Sequence, residues 1–255
     1  MRRVLAPLAL IVLALGAWQL AARWDLLANA LNIEPFLVPA PSDIADALWT
    51  DRGLLADDGW VTLQEVLLGF GLSVVAGVGF AILLHLSEAL RRALYPLLVA
   101  SQTVPIIVIA PILVVWFGFG IGPKLAIIAL ICFFPITVNT FDGLRSVDPD
   151  LIKLMRTLDA SRWQTFRRAE APSALPYFFS GAKIAVAVAV IGAVFGEWAG
   201  SDSGLGHLML QSSAQLLTAR LFAAVVVLSA FAIALFALLA LLERRVAWWG
   251  TRGVR

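Results

Sequence analysis

The sequence is poor in the residues that build metal centres and nucleophilic active sites. It contains one cysteine, Cys132, and two histidines, His85 and His207, which lie far apart in the chain. One cysteine excludes a disulfide within the chain, and no Cys or His residues have the spacing of metal ligands. These absences argue against a metal site and against a membrane enzyme, which needs a nucleophile–base pair or a metal cluster within its spans.

Charged residues are also scarce, at 14% of the chain, whereas 61% of the residues are apolar. Soluble domains contain about 25% charged and about 45–50% apolar residues. A soluble fold of 255 residues has too little interior to remove so much apolar surface from water, whereas lipid solvates that surface directly. The net charge of +2 is too small to indicate a nucleic-acid partner. We therefore expect one all-α membrane domain.

Six apolar runs are long enough to cross a membrane. They are Val4–Ala22, Val61–Leu86, Leu94–Phe117, Leu125–Phe141, Leu175–Ala199 and Leu221–Leu242. Arg2 and Arg3 precede the first run, as in a cleaved signal peptide, but signal cores are only about 7–15 residues long. The first run corresponds to roughly 28 Å of helix, so we expect a retained span. Pro105 and Pro111 are expected to bend the third span.

The basic residues predict the orientation of these spans. With the N-terminus in the cytoplasm, the outer segments contain only Arg23, Arg52, Lys124 and Arg220, and Lys183 lies near the inner end of a span. The other 14 of the 19 Lys and Arg residues are then cytoplasmic. Cytoplasmic segments carry the excess of Lys and Arg in membrane proteins. Both termini are therefore expected in the cytoplasm, with Lys183 snorkelling towards the inner surface.

The polar stretch between the first two spans, Arg23–Trp60, is rich in acidic residues and proline. Ser42 is a typical N-cap residue, and Ile44, Ala47 and Leu48 follow it with helical spacing. This pattern predicts a short helix that is too polar to cross the membrane and lies on its surface.

The cytoplasmic loop between spans four and five, from Asp142 to about Ser173, predicts two short helices. Asp148 and Pro149 are a typical N-cap and first helical residue. An apolar stripe follows at Leu151, Leu154, Met155 and Leu158.

The second predicted helix begins with a capping box formed by Ser161 and Gln164 and ends at Pro172. It presents Trp163 and Phe166 on one face. Tryptophan, phenylalanine and arginine are enriched at protein–protein hot spots, so the loop suits a partner protein. A helix resting on anionic lipid is the alternative.

The loop sequence GLRSVDPDLIKLMRTLDASRWQTFRRAEAPSALP, Gly143–Pro176, resembles the cytoplasmic coupling loop of bacterial ABC importer permeases. The resemblance includes Val104–Lys124, Phe133–Pro149 and Gly196–Gly206, and it covers roughly Val61–Leu242. The Pro-Ser-Asp segment after the first span fits the branch that contains nitrate, sulfonate, taurine and thiamine-precursor permeases.

The resemblance implies the type I ABC importer permease fold with six transmembrane helices. The expected parts are an N-terminal helix with a periplasmic surface segment (1–60), a permease domain with the coupling loop at 142–173 (61–242), and a cytoplasmic tail (243–255). Such permeases act in the bacterial inner membrane as dimers, here a homodimer, with two ATPase subunits and a periplasmic or lipid-anchored solute-binding protein. This chain has no P-loop and is expected to bind no cofactor, so the partner subunit uses the ATP.

The resemblance assigns the contact with the ATPase subunit to Asp148, Leu151, Leu154, Met155, Asp159, Ser161, Arg162, Trp163, Phe166 and Arg167. In this hypothesis Trp163 and Phe166 anchor the contact, and the arginines orient it. The family's loop usually has Glu-Ala-Ala and then, after three residues, Gly, where this chain has Lys153, Leu154, Met155 and then Asp159. Aspartate tolerates a left-handed turn, so we expect the turn to be kept. The charge reversal at Lys153 indicates a co-adapted partner surface.

Four residues within the spans are candidates for the translocation pathway or its gate: Gln102, Asn139, Glu197 and Trp198. Acids within a span usually face the protein interior or a water-filled path. For Glu197 and Trp198 the alternative is a carboxylate and an aromatic residue at the level of the lipid headgroups. For Gln102 and Asn139, and for Thr103 and Thr137 beside them, the alternative is hydrogen bonding between helices.

Two stripes of small residues predict close contact between helices. They comprise Gly192, Gly196, Gly200 and Gly204 in one case and Gly69, Ser73 and Gly77 in the other. A subunit interface or a constriction of the pathway is the alternative for the first stripe.

The substrate class follows only from the resemblance. Gly192–Leu216 looks most like permeases for pyrimidine thiamine precursors or related heterocycles, and nitrate, sulfonate or taurine permeases are the alternative within the family. A secondary transporter or channel is the rival class. It requires ionisable residues at mid-membrane or an inverted repeat, and the sequence indicates neither.

Overall fold

The structure is a computed structural model that describes residues 2–250, with the side chains of residues 2–5, 7, 8, 27 and 31 left out. Its α-helices within that range are α1 (Arg2–Arg23), α2 (Leu26–Leu31), α3 (Pro41–Thr50), α4 (Arg52–Leu86), α5 (Glu88–Ser101), α6 (Ile106–Phe117), α7 (Ile121–Leu144), α8 (Pro149–Thr157), α9 (Arg162–Thr165), α10 (Ala171–Gly200), α11 (Leu205–Ala214) and α12 (Thr218–Val246). A 3-10 turn, Pro35–Leu37, precedes α3, and a π-helical turn, Phe166–Glu170, joins α9 to α10.

Four helices in the described residues are long and apolar enough to cross a membrane. They are α4, α7, α12 and the continuous helix Arg162–Gly200, and the bent pair α5 and α6 supplies a fifth span if both halves count as one. The searched apolar part of α1, Ala9–Arg23, is shorter than a span. The prediction of an all-helical membrane protein is confirmed, with four to five candidate spans.

The third predicted span is two helices rather than one bent helix. The axes of α5 and α6 differ by 100°, with the break between Ser101 and Ile106. Pro105 is the N-cap of α6. It lacks an N–H group and disfavours helical geometry at the residue before it, so the helix separates here. Pro111, by contrast, remains inside α6.

Two further boundary predictions were wrong. Ser42 is not an N-cap, because α3 begins at Pro41, whose fixed φ suits the first helical position, and the Asp43 carboxylate accepts a hydrogen bond from Ala40 N at 3.0 Å. Pro172 does not end a helix. The widened turn Phe166–Glu170 precedes it, and the helix continues to Gly200.

The contacts between Cα atoms divide the chain into two units. The first consists of Met1–Thr62 and Asp202–Ser229, and the second of Leu63–Ser201 and Ala230–Arg255. In the first unit, the Asp58 carboxylate and the Thr62 hydroxyl accept hydrogen bonds from the first N–H groups of α11, at 2.8 Å each. These are the groups that a helix N-terminus leaves without internal partners.

Further side-chain contacts in the first unit connect α1, the start of α12 and the region of α3. Arg220 at the start of α12 donates two hydrogen bonds, of 2.7 and 2.9 Å, to the Asp51 carboxylate. Gln19 of α1 exchanges two hydrogen bonds of 3.0 Å with Ser42. The rings of Trp18 and Phe222 lie 6.1 Å apart, which brings the end of α1 to the start of α12.

In the second unit α7 lies against both α4 and α10, and glycines allow the close approach. A Cβ atom at Gly69 of α4 would lie 2.6 Å from Ile128 Cβ, and one at Gly77 would lie 2.9 Å from Ile136 Cγ2. Both contacts join residues 59 positions apart, so α4 and α7 run parallel. The predicted packing stripe at Gly69, Ser73 and Gly77 is confirmed at its two glycines.

The helix α10 runs antiparallel to α7. A Cβ atom at Gly181 would lie 2.5 Å from Pro135 O, and one at Gly196 would lie 3.2 Å from Lys124 Cα. Gly192 and Gly200 make similar approaches to Ile131 and Phe119, which supports the packing interpretation of this stripe. Its last predicted member, Gly204, instead is the N-cap of α11 with φ +107°.

The helix α12 returns along α10. Lys183 of α10 and Glu243 of α12 form an ion pair of 2.8 Å. Beyond α12, Trp249 Nε1 donates to Pro172 O at 3.3 Å. The predicted cytoplasmic tail, 243–255, therefore begins inside α12, and its residues 251–255 lie outside the described residues.

The two faces of α4 provide a test of this packing. Gly69→Ala introduces a Cβ against the branched Ile128 side chain, and overpacking of this kind typically costs about 1–3 kcal/mol. Gly71→Ala is the matched control, because no atom lies within 4 Å of its added Cβ and alanine favours the helix by about 1 kcal/mol. We expect Gly69→Ala to lower the thermal unfolding temperature in detergent by several degrees and Gly71→Ala to leave it unchanged or higher. Equal unfolding temperatures for the two variants would contradict the packing described here.

Candidate functional site

The segment of residues 148–170, named here the knob, connects α7 to α10. Its first helix, α8, begins as predicted: Asp148 is the N-cap and its carboxylate accepts a hydrogen bond from Asp150 N at 2.8 Å. The turn after α8 is also the predicted left-handed one, since Asp159 has φ +55°. The second helix begins with the predicted capping box, in which Ser161 and Gln164 exchange hydrogen bonds of 2.8 and 3.2 Å.

The outer surface of the knob is apolar and aromatic. Leu154, Leu158 and Trp163 are 55%, 73% and 66% exposed, and Leu151 is exposed as well. Trp163 stacks on Phe166, with ring centroids 5.6 Å apart and planes inclined by 20°. Burying such side chains against a protein surface is favourable, and aromatic residues often anchor protein interfaces.

The remaining predicted contact residues of the knob differ in exposure. Met155 and Phe166 are half-buried, whereas Arg167 is exposed. Lys153, the site of the charge reversal, forms an exposed ion pair with Asp150 at 2.8 Å.

Polar contacts tie the knob to the end of α4. Arg162 Nη2 donates to the carbonyl oxygen of Leu86, the last residue of α4, at 3.0 Å. His85 Nε2 and Glu170 Oε2 lie 2.9 Å apart. A polar cavity of about 340 Å³ lies between these contacts, lined by His85, Ile152, Arg156, Ala160, Arg162, Thr165 and Glu170. The knob is therefore joined covalently to α7 and α10 and non-covalently to α4.

A second polar site lies within the helices of the second unit and is named here the lysine cluster: Glu65, Lys124, Glu197 and Ser201. Lys124 Nζ donates hydrogen bonds of 2.6 Å to Glu65 Oε1 and to Ser201 Oγ. Glu197 follows Gly196 on α10, where an added Cβ would lie 3.2 Å from Lys124 Cα. Glu65, Lys124 and Glu197 are only 2%, 6% and 1% exposed. Glu197 is therefore buried inside the protein, which supports the alternative in which it faces the protein interior.

Sequence reasoning missed two members of this cluster. Lys124 was assigned to an outer segment, but it lies in the first turn of α7 and is buried against Glu65. Glu65 is an acid inside the second predicted apolar run, and Lys124 is a base next to the start of the fourth. These two charges beside apolar runs were the signals that could have predicted the ion pair. Lys183 likewise has an ion-pair partner, Glu243, in place of the predicted snorkelling.

The other pathway candidates are not brought into the lysine cluster. Asn139 lies on α7 roughly 22 Å from Lys124 along the helix axis and donates to Pro135 O in its own helix. Thr103 also donates within its own segment, to Ala100 O, so the side-chain hydrogen bonds described for these two residues do not join different helices. Gln102 is exposed at the break between α5 and α6. Trp198 is half-exposed and contacts Phe195 edge to face.

Comparison with known proteins identifies the family. Residues 71–248 match the model for the binding-protein-dependent transport system inner membrane component. The formylaminopyrimidine transport permease protein ThiX of Halalkalibacterium halodurans is 38% identical over 248 residues, covering 97% of this chain and 96% of ThiX. The riboflavin transport system permease protein RibX of Chloroflexus aurantiacus is 36% identical, covering 84% of this chain and 81% of RibX.

A solved structure shares the fold. A chain of the MetNI methionine ABC transporter, in inward-facing conformations, matches with a TM-score of 0.68 at 20% identity. The match covers 77% of this chain and 98% of the MetNI chain. The helical arrangement described above is thus the fold of an importer permease. The chain belongs to the family of binding-protein-dependent transport system inner membrane components, and it is a multi-pass inner-membrane permease of an ABC importer, a transport subunit and not an enzyme.

Proposed function

We propose that this permease moves a pyrimidine or related heterocycle inward, driven by ATPase subunits that bind the knob. The observation that carries the proposal is the exposed Trp163 ring, stacked on the half-buried Phe166, on a segment joined to three membrane helices. The transporter is expected to contain two copies of the permease and two ATPase subunits, with a solute-binding protein that delivers the substrate.

The directions of the helices support a six-span topology. Because α4 and α7 run parallel, the chain between them must return across the membrane, and α5 with α6 is the segment available to do so. The helix α10 runs antiparallel to α7, and α12 runs antiparallel to α10, so each of these helices crosses the membrane in the direction opposite to the one before it. With α1 as the first span, the number of spans is six.

The same directions support cytoplasmic termini. In the first unit, the end of α1 lies beside the start of α12, so these two ends share one side of the membrane. Removing Lys124 from the outer segments leaves Arg23, Arg52 and Arg220 there, which strengthens the excess of basic residues on the other side. The knob, with its arginines, is then cytoplasmic and accessible to an ATPase subunit.

The contacts of Arg162 and His85 suggest how the knob acts on the membrane helices. A motion of the knob reaches α7 and α10 through the peptide chain. It reaches α4 through the Arg162–Leu86 hydrogen bond and the His85–Glu170 pair. Arg162 was expected to orient the ATPase contact, and we now propose that it also fixes the knob to α4.

The substrate proposal rests on the named relatives. Permeases named for formylaminopyrimidine and riboflavin are 38% and 36% identical to this chain, and both substrates are nitrogen heterocycles. Nitrate, sulfonate and taurine transport remain the alternative within the family.

Trp163→Ala tests the ATPase contact. The substitution removes a large exposed ring, and truncation of an aromatic hot spot typically costs 2 kcal/mol or more, roughly a 30-fold weaker association. We expect the ATPase subunit to be lost when the tagged permease is purified in mild detergent. Trp60→Ala is the control, because Trp60 is similarly exposed, at 60%, but lies on α4 outside the knob. Equal recovery of the ATPase with both variants would contradict the proposed contact.

His85→Ala tests the link between the knob and α4. It leaves the outer surface of the knob intact, so we expect the ATPase subunit to bind normally while transport per ATP hydrolysed falls roughly tenfold. His85→Lys should restore coupling, because an ammonium group can also pair with Glu170. Arg92→Ala is the control, since it removes an exposed ion pair with Glu88 that contributes little. Unchanged coupling in His85→Ala would overturn the proposed link.

Uptake into proteoliposomes that contain the whole transporter tests the substrate. We expect ATP-dependent uptake of labelled formylaminopyrimidine that excess taurine, nitrate or an aliphatic sulfonate does not inhibit. Uptake of taurine instead would favour the alternative within the family. Uptake without ATP would contradict the importer mechanism.

A further inference from the structure

The polar cavity between the knob and the end of α4 is lined by two arginines from different helices of the knob. Arg156 belongs to α8 and Arg162 to α9, and the cavity has a volume of about 340 Å³. The other charged or titratable side chains in its lining, His85 and Glu170, lie 2.9 Å apart and bind each other. The cavity therefore contains two guanidinium groups and one carboxylate that already has a partner.

Neither arginine is paired with a carboxylate among the described residues. Arg162 donates from Nη2 to Leu86 O at 3.0 Å, and its other N–H groups take no part in the described hydrogen bonds. The described hydrogen bonds and ion pairs include none from Arg156. A guanidinium group presents a fork of N–H donors that matches oxygen anions such as phosphate. The cavity thus offers donors and positive charge to an anion that the described chain does not supply.

The cavity lies behind the outer surface of the knob, on the side that faces α4. Thr165 in its lining is buried and Ile152 is half-buried, whereas Leu158 and Trp163 on the outer surface are largely exposed. A partner protein that covers Trp163 meets the outer surface first. The recessed position favours a small anionic group over an acidic side chain of that partner.

The sequence around the end of α4 indicates the depth of the cavity in the membrane. The apolar run of α4 ends at Leu86, and Ser87 and Glu88 follow it directly. Such a change from apolar to charged residues marks the border between the hydrocarbon core and the lipid headgroups. In the orientation proposed above this is the cytoplasmic border, where anionic lipids are found and where basic pockets beside membrane helices bind their headgroups.

We propose that this cavity binds a phosphate group, supplied by the headgroup of an anionic lipid, through Arg156 and Arg162. Its volume corresponds to roughly 11 water molecules of about 30 Å³ each, which is room for a phosphate group and several waters. The bound phosphate joins α8 to α9 and, through the bond of Arg162 to Leu86 O, to the end of α4. The lipid source rests on the proposed orientation, whereas the phosphate site rests on the two arginines alone.

Native mass spectrometry of the full-length permease, titrated with phosphatidylglycerol in a neutral detergent, tests the site. We expect one saturable lipid per chain, and we expect Arg156→Ala to weaken its binding at least about tenfold, because a charge-assisted hydrogen bond is lost. Arg156→Lys keeps the charge but not the fork and should bind with intermediate affinity. Arg168→Ala is the matched control, since Arg168 is also exposed but lies outside the lining of the cavity, and it should bind like the unmutated chain.

Two further measurements separate the possible ligands. If inorganic phosphate raises the unfolding temperature of the unmutated chain but not of Arg156→Ala, and lipid binding does not depend on Arg156, the lipid source is refuted and free phosphate is the ligand. If Arg156→Ala instead loses the co-purified ATPase subunit and keeps its lipid, the arginine belongs to the protein contact and the site is refuted.

Equal lipid binding by the unmutated chain and Arg156→Ala, with no effect of inorganic phosphate on either, would also overturn the site. An equal loss of lipid in Arg156→Ala and Arg168→Ala would do the same, because it would indicate a general effect of charge. Unfolding temperatures without added lipid or phosphate check that the variants are folded. Lipid binding is measured without ATP and without transport, so its outcome is independent of whether the proposed function holds.

Discussion

The close contact of α4 and α10 with α7 is the constraint on which the second unit depends. It requires hydrogen in place of a side chain at Gly69 and Gly77 on one face and at Gly181 and Gly196 on the other. Lipid is as apolar as leucine, so burial of apolar surface does not drive helices together in a membrane, and short contact distances must supply the attraction. The same closeness excludes water and lipid from the seam, which is why charged groups placed there must bind each other.

The contact of α4 and α10 with α7 also links the two candidate sites, the knob and the lysine cluster. The helix α4 carries Glu65 of the lysine cluster, and its last two residues, His85 and Leu86, contact the knob. The helix α10 begins at the knob and carries Glu197 near its other end. Both acids of the cluster therefore lie on helices that the knob contacts or continues into, whereas Lys124 lies on the helix between them. An event at the knob has a continuous, packed path to the cluster through either helix.

Local signals predicted the knob well, because caps and tight turns depend on neighbouring residues. Asp148, Asp159 and the Ser161–Gln164 pair all have the structures expected of them. The same local rules gave wrong helix boundaries where another residue or an irregular turn also influenced the start or end of the helix. Pro41 set the start of α3 and left Ser42 to bind Gln19, and a π-helical turn carried the chain past Pro172. The angle between α5 and α6 could not be predicted either, because a proline indicates that a helix breaks but not the angle between the two helices that result.

The sequence by itself determined the membrane environment, the apolar segments, the helix boundaries and aromatic residues of the knob, and the resemblance to importer permeases. These properties reside in composition, in periodicity and in motifs of a few adjacent residues. The tertiary structure alone decided that Lys124 is buried, that Glu65 binds it, and that Arg162 binds the end of α4. Each of these contacts joins residues 59 or more positions apart. Such pairings depend on the register between packed helices, which no local pattern specifies.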